Sequence, residues 1–486
     1  MAWFSRIFKK RNGPTKTRLS NVLFTNTLSG TKELFISQKP CLVLMYSCGP
    51  TVYGSAHIGN LRAYVFSDTI ARVLEAAGYR VRRVINITDV GHLVSDGDTG
   101  EDKMSVGAAR EKTTPQAIAD RYMKEFIDDL GELNIDTKDI LFPRATDYIK
   151  EQIALATTLE EKGFAYRIKH GLAFDTSRYP GYGKLGHIDL SAQRVGARIE
   201  ADPEKHHPAD FWLWRTAKPG DLQQWNSPWG YGNPGWHLEC SAMSRTLLGQ
   251  EIDIHTGGED HIATHHNNEI AQSEAASGRT FVHYWIHNAF LTVEGQKISK
   301  SLHNDIYMKD VLARGISPLA LRYFYLQAHY RTSLSFSWEA LAGAASALER
   351  LEKMAGEIAV ESNRATAPSE ARERFVAAMR DDLATPQALG ILWDSLKSED
   401  YAPEEKWGLL EDADRYLGLD LLAPHTTGIV APVDIPENIR EMLDAREKAR
   451  AAKEWSEADR LRNEIEKSGY RVDDGPDGPV LITTTL

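Results

Sequence analysis

Between Cys41 and Ile87 the chain spells one unit that leaves few folds open. The apolar run Leu42 to Tyr46 is followed by a loop containing Gly and Pro. Then Ala63, Phe66, Ile70, Val73, Leu74 and Ala77 recur at helical spacing, ahead of Gly78 and the β-branched run Val81 to Ile87. Apolar residues every three or four positions place one helix face on a core. A glycine just beyond the last of them stands where a helix ends. Strand, helix and strand in that order form a right-handed βαβ crossover, the building block of a parallel sheet. The expected fold class is therefore α/β.

The same pattern returns far along the chain. Ile252 to Ile254 and Phe281 to Phe290 read as strands flanking a helix over Ile262 to Ser277 that Gly278 ends. One sheet is thus built from two distant halves, with residues from about 90 to 225 as an insertion holding charged helices (Pro115 to Leu130, Thr146 to Lys162) and Gly-rich turns (Tyr179 to Gly186). After Asn304 the chain turns helical, for example over Ala340 to Ile358 and Ser369 to Lys397, where runs of Ala, Leu and Glu favour helix. The expected organisation is a basic, solvated and disordered tail over 1–20 and an α/β domain over 21–304 with its insertion at about 90–225. A helical stem and bundle over 305–420, a proline-bearing linker over 421–437 and a small terminal domain over 438–486 complete it.

Charge and cysteine content narrow the class. Lys plus Arg number 57 against 68 Asp plus Glu, a net charge of −11, which argues against a protein held to nucleic acid by bulk charge. The basic residues Arg6, Lys9, Lys10, Arg11, Lys16 and Arg18 are the local exception. Three cysteines, Cys41, Cys48 and Cys240, cannot staple a chain of 486 residues, so metal or catalytic roles in a reducing compartment are favoured and a cytoplasmic location is expected. No apolar run approaches the roughly 18 residues of a membrane span.

Three groups of residues suit chemistry. His57-Ile58-Gly59-Asn60 falls between a strand and a helix start, where backbone N–H groups and the helix dipole favour phosphate. Lys297-Ile298-Ser299-Lys300-Ser301 puts two ammonium groups on a Gly-hinged loop, able to offset charge on a leaving pyrophosphate. Read alone, either segment is an ordinary turn or a solvated surface; together they favour phosphate. His265 and Glu269 lie four apart on one helix face, and with Cys48 and Cys240 they offer the donors of a tetrahedral zinc site. Without context, buried apolar cysteines and an ordinary helix histidine are the simpler account. His237, His255, His261 and His266 are rival donors, and Trp236 offers a flat apolar wall near Cys240.

Taken together, the segments Met45-Tyr46-Ser47-Cys48-Gly49-Pro50-Thr51-Val52-Tyr53, His57 to Asn60, Asn86-Ile87-Thr88-Asp89, Pro234 to Met243, His265 to Ala275 and Lys297 to Ser301 resemble the cysteinyl-tRNA synthetase family of class I aminoacyl-tRNA synthetases. The likeness runs from about Asn21 to Val480 in the family's order. It implies a Rossmann-type (HUP-like) catalytic domain with a connective insertion, a stem, a helical bundle and a C-terminal anticodon-binding domain. It also implies a two-step activity: L-cysteine and ATP with Mg2+ give cysteinyl-adenylate, and the cysteinyl group passes to the 3′-terminal adenosine of the cysteine tRNA. The chain is then expected to be a monomer.

Carried over position by position, the resemblance implies one Zn2+ held by Cys48, Cys240, His265 and Glu269, and substrate contacts from Thr88 and Trp236. It implies ATP-binding and catalytic roles for His57, Gly59, Asn60, Lys297 and Lys300, and anticodon reading by Arg450, Trp455, Asp459 and Asp474. Zinc suits the task, because a pocket reading shape alone separates near-isosteres by only about a hundredfold, whereas soft sulfur binds zinc as thiolate. The departures from the family pattern are Asn60 in place of a second histidine, the altered run Val90 to Leu93 with an acidic loop from Asp96 to Asp102, Asn267 in place of an acid, and a C-terminal end poor in basic and aromatic residues. An amino-sugar ligase of the mycothiol pathway shares the catalytic half but lacks the helical C-terminal regions. A silent paralogue would have lost one of these motifs, and a zinc hydrolase would need an HExxH or similar element, which is missing.

Overall fold

The structure, a computed structural model, describes residues 19–90, 103–187, 204–218, 221–298, 304–423, 436–452, 454–468, 470–475 and 478–483. They fall into two compact units, 1–421 and 422–486. The basic tail before residue 19 and the acidic loop Asp96 to Asp102 lie outside the described residues.

In the first unit five parallel strands lie in the order Val282–Asn288, Ile252–Gly258, Leu42–Ser47, Arg80–Ile85, Ile140–Leu141. The α/β expectation holds, and the sheet joins strands from two distant parts of the chain, but Ile140–Leu141, from within the stretch read as an insertion, adds its edge strand. Leu42–Ser47 is buried almost throughout, as a strand covered on both faces must be. Helix Ile58–Ala76 crosses to Arg80–Ile85, and Gly78 turns the chain at φ 100° where a side chain would be strained. Strand order reverses between Leu42–Ser47 and Ile252–Gly258. At such a switch point the loops leaving the two carboxyl ends part and open a crevice for ligands.

The insertion holds a sheet that periodicity did not reveal. Strands Ala165–Ile168, Gly171–Phe174, Phe211–Thr216 and Gly232–Pro234 pair antiparallel. Phe211 to Trp214 are buried without alternation, which hides the period of two. Phe174, Phe211 and Trp214 pack with Leu238 and Ala242 of helix Trp236–Leu247 and with Ala271 and Ala275 of helix His265–Ser277. The insertion is therefore what seats these two helices.

Within the insertion, helix Pro115–Glu132 carries a misplaced charge. Burial, reinforced by Glu125, Asp128 and Glu132, pushes the Asp129 carboxyl up to about 7. The folded chain keeps this proton between the ordinary 3.8 and about 7 while the unfolded chain releases it, so stability falls as pH rises through that window. Asp129→Asn is expected to raise stability by about 1–2 kcal/mol at pH 8 and by little at pH 4. Denaturant melts at the two pH values check this, and an equal effect at both would contradict it.

Helices Trp338–Glu361, Glu370–Arg380, Thr385–Lys397 and Pro403–Leu417 form the bundle. The helical stretch read over Ser369 to Lys397 is in fact two helices, because Asp382 and Leu383 take left-handed φ values of 58° and 54°. What holds the break is the Asp382 carboxylate. It accepts from Thr25 N (2.8 Å), Thr25 Oγ1 (2.7 Å), the Tyr330 hydroxyl (2.5 Å) and Arg331 Nη2 (2.9 Å).

A second buried carboxylate ties the sheet to the bundle. Asp68 on helix Ile58–Ala76 accepts from Arg72 Nε (2.7 Å), Arg83 Nη1 (3.0 Å) and Arg322 Nη2 (2.7 Å). Arg322, on helix Pro318–Leu326, also donates to Leu417 O and Leu133 O. Burial opposes ionisation of Asp68, but the three guanidinium groups outweigh it and hold the carboxyl well below its ordinary value.

The second unit contains helices Glu437–Ala451 and Trp455–Lys467 and the antiparallel pair Tyr470–Gly475 and Gly478–Thr483. Ile439, Ile465 and Val472 form its core.

Candidate active site and metal centre

The carboxyl end of Leu42–Ser47 delivers Cys48, whose N–H donates to Thr256 O (3.2 Å) on the neighbouring strand. This pairing sets Cys48 beside Ile252–Gly258 and the helix His265–Ser277 that follows it. Cys48, Cys240, His265 and Glu269 present ligand atoms all within 4.8 Å of one another, and all but the half-buried Cys48 are buried. His265 Nε2 lies 3.0 Å from Glu269 Oε1, and His265 Nδ1 lies 2.8 Å from His237 Nδ1. A ring nitrogen held from behind is how proteins aim an imidazole at a metal.

The electrostatics of this group suit a cation. A hydrogen bond from Cys48 holds the Cys240 thiol down to about 6 against the opposing effect of burial, with His265 helping. Burial works against charge on Glu269, yet His255 and His265 hold it at about 2. Burial likewise opposes charge on His265, yet Glu269 and Cys240 keep it up to about 10. In Cys48 burial and the competing Cys240 push the thiol upward. Two sulfurs, an imidazole and a carboxylate sharing so small a volume are the donor set of a tetrahedral zinc position, so the residues fit the ion.

Spacing along one helix identified only part of the cluster. Cys48, His255, His266 and Glu269 form a second set with ligand atoms within 4.8 Å. His266 Nε2 is 3.2 Å from Cys48 Sγ, and His255 Nε2 is 3.1 Å from Glu269 Oε2. His255 and His266 pack on the ring of Trp285 at 4.7 and 4.8 Å, giving the cluster an apolar floor. The position of His255 depends on strand register, which a helix-spacing argument cannot see. Trp236 is half-buried with its ring 4.4 Å from that of His265, so it does form a wall beside the cluster.

Thr88 lies on the other side. Its hydroxyl accepts from Asn86 Nδ2 (3.1 Å) and donates to Glu239 Oε2 (3.1 Å), while Asn86 Oδ1 accepts from Gly49 N (2.8 Å). All three side chains are buried, and this chain of bonds spans from the residue after Cys48 to the residue before Cys240. A Cβ on Gly49 would meet Asn86 O at 1.5 Å, so glycine is required there. Asn267 spends its amide locally: Nδ2 donates to Leu185 O and Ile262 O, and Oδ1 accepts from Leu185 N.

The second region is the start of helix Ile58–Ala76. His57 Nδ1 accepts from Asn60 N (3.2 Å) and Asn60 Oδ1 accepts from His57 N (3.2 Å), a reciprocal cap. Asn60 thus serves the helix terminus through its oxygen, which accounts for an amide at this place. Ile58 N donates to Ile306 O (2.8 Å), and a Cβ on Gly59 would come 3.0 Å from Ile298 Cδ1. The segment around Ile298 therefore abuts the His57 turn. Lys300 lies outside the described residues; Lys297 is described through its backbone, in strand Gln296–Lys297.

In the second unit Trp455 is 59% exposed at the start of helix Trp455–Lys467, with exposed Asp459 one turn later. Arg450 is at the end of the preceding helix, and Asp474 is in strand Tyr470–Gly475. Among the described residues no helix is long and apolar enough to cross a membrane.

Comparison with known proteins bears on the whole chain. Residues 35–346 match the family model of the class I (C) tRNA synthetase catalytic domain, and residues 433–478 that of the cysteinyl-tRNA ligase anticodon binding domain. Cysteine–tRNA ligase 1 of Burkholderia lata is 46% identical over 467 residues, covering 94% of this chain and 96% of that protein. The cysteine–tRNA ligase of Chlorobium luteolum is 41% identical, covering 93% and 97%. In fold the chain is similar to a methionyl-tRNA synthetase of Mycobacterium tuberculosis in complex with methionyl-adenylate, with a TM-score of 0.55 at 17% identity, over 81% of this chain and 94% of that one. With a switch-point cluster of two sulfurs, an imidazole and a carboxylate, and relatives matched nearly end to end, the chain belongs to the cysteine–tRNA ligase family of class I aminoacyl-tRNA synthetases.

Proposed function

We propose that the chain activates L-cysteine with ATP and Mg2+ and transfers it to the 3′-terminal adenosine of the cysteine tRNA, with one Zn2+ selecting the substrate thiol. The observation that carries this reading is the meeting of Cys48, Cys240, His265 and Glu269 at the switch point of a parallel sheet, beside Trp236 and Thr88. Zinc held by these residues would bind soft sulfur far better than a hydroxyl oxygen.

The other roles belong to the chain's own groups. Trp236 walls the space next to His265, and Thr88 keeps a lone pair for a substrate polar group while its hydrogen is committed to Glu239. The N–H groups and dipole at the start of helix Ile58–Ala76 face phosphate together with His57, Gly59 and Asn60. Lys297 and Lys300 offset charge on the departing pyrophosphate. Arg450, Trp455, Asp459 and Asp474 read the anticodon. With nine Lys and Arg against eleven Asp and Glu over 438–486, this reading draws on base contacts more than on phosphate.

The test is transfer of labelled cysteine to unfractionated tRNA with ATP, magnesium and zinc. Charging of a cysteine-accepting tRNA is expected. Cysteine-dependent pyrophosphate exchange without charging would remove the anticodon assignment, and neither activity would remove the whole reading.

A further inference from the structure

We propose that Arg62 is a positioning residue for adenylate formation, fixing the root of the hairpin that carries Lys297 to the helix whose start faces phosphate. The inference deepens the reading above and rests on it. Its own basis is a buried guanidinium that gathers backbone carbonyls from two separate segments.

Arg62 sits two positions beyond Asn60 in helix Ile58–Ala76 and is buried. Its Nη1 donates to Ala289 O (2.8 Å) and Phe290 O (2.7 Å), and its Nη2 to Thr332 O (2.7 Å) and His329 O (3.4 Å). Ala289 and Phe290 lead into strand Leu291–Val293, whereas His329 and Thr332 lead into Leu334–Phe336, its parallel neighbour. The guanidinium therefore fills the fork from which these two strands depart. A buried charge is costly unless well bonded. A planar fork of N–H groups meets both segments at once, which the compact ammonium of a lysine does not match.

The hairpin that starts there returns to the phosphate site. Leu291–Val293 pairs antiparallel with Gln296–Lys297, so that Lys297 lies opposite Thr292. The next residue, Ile298, is buried, with its Cδ1 3.0 Å from where a Cβ on Gly59 would stand. One helix thus holds the hairpin twice, through Arg62 at its root and against Gly59 just beyond Lys297.

The remaining bonds at the root leave its backbone little freedom. Phe290 O also accepts from Leu334 N (3.0 Å), Ala289 N donates to Tyr330 O (2.8 Å), and Phe290 N donates to Glu259 Oε1 (3.0 Å) just past strand Ile252–Gly258. These bonds tie the two strands to each other and to the sheet, and Arg62 adds the tie to the helix start. The spacing between the helix N–H groups and the ammonium of Lys297 is then set by a rigid element. A displacement of about 1 Å in such a spacing can cost about a hundredfold in rate.

The experiment compares Arg62→Lys and Arg62→Met with the wild-type full chain. Two rates are read: cysteine-dependent pyrophosphate exchange, and transfer to tRNA from cysteinyl-adenylate formed in advance. Exchange is expected to fall by on the order of tenfold in Arg62→Lys and on the order of a hundredfold in Arg62→Met. Zinc content is expected to be unchanged, and transfer to stay within about threefold, because pyrophosphate has left before that step. In a chain that also carries Lys297→Ala, Arg62→Lys is expected to add less than its own loss, since both act through one hairpin. Exchange in Arg62→Lys within about threefold of wild type would overturn the proposal. So would equal losses in exchange and transfer, or a loss that multiplies in full with that of Lys297→Ala, either of which would make Arg62 a support of the fold alone. Arg62→Lys keeps charge and bulk, so the test stands even if Arg62→Met does not fold. A wild-type chain without exchange would remove the reading above and this proposal with it, a failure seen before any variant is made.

Discussion

Cys240→Ser is expected to lower cysteine-dependent pyrophosphate exchange by on the order of a thousandfold, more than the tenfold to hundredfold typical of groups that only orient a metal ligand. Cys240 is buried, and its thiol, held down to about 6, is the more readily ionised of the two sulfurs. Serine keeps the volume but not the soft anionic donor, so the zinc that would tell cysteine from serine is lost with it. Selectivity should fall along with rate, because shape alone sustains only about a hundredfold discrimination. Zinc content measured beside exchange rates with cysteine and with serine checks both points. A variant that kept its zinc and exchanged within about threefold of wild type would remove Cys240 from the site.

The largest effect on stability is expected at Asp68. Asp68→Ala would leave the guanidinium groups of Arg72, Arg83 and Arg322 without their shared anion, and Arg322 is wholly buried. Burial already pulls Arg322 down to about 10 with Asp68 in place. Breaking a buried pair by removing one member costs about 3–5 kcal/mol, because the remaining charge stays desolvated. Loss of that order in urea unfolding is expected, with Asp68→Asn intermediate because it keeps an acceptor but no charge. The sign with pH follows from the depressed carboxyl: the contribution is complete above the ordinary 3.8 and disappears as Asp68 is protonated in stronger acid. A cost under about 1 kcal/mol for Asp68→Ala would show that the three arginines find other partners.

These two residues also divide what could be read in advance. Cys240 was legible, because so few cysteines in so long a chain draw attention and the segment around it resembles a known family. Asp68 was not. It is one acid on an amphipathic helix, and its three partners come from its own helix, the next strand and a helix some 250 residues away. The reciprocal cap of His57 and Asn60 is local and follows from neighbours in sequence. The break at Asp382 is decided by Thr25 and Tyr330, far from it along the chain, so helix propensity carried the reading through.

The βαβ crossover, its continuation after a long insertion, the change to helix beyond residue 304 and the pairing of His265 with Glu269 on one face are all functions of spacing. Periods of two and of 3.6 record which side chains share a face. What spacing cannot record is which faces meet. The register that sets Cys48 beside Thr256 brings His255 and His266 into the cluster, and the buried strands of the insertion seat the two helices that carry Cys240, His265 and Glu269. Those placements depend on tertiary packing, in which residues two hundred positions apart exchange water for one another. By itself the sequence determined the secondary structure around the site and the kinds of donors available; only the folded sheet decided that they converge on one small volume.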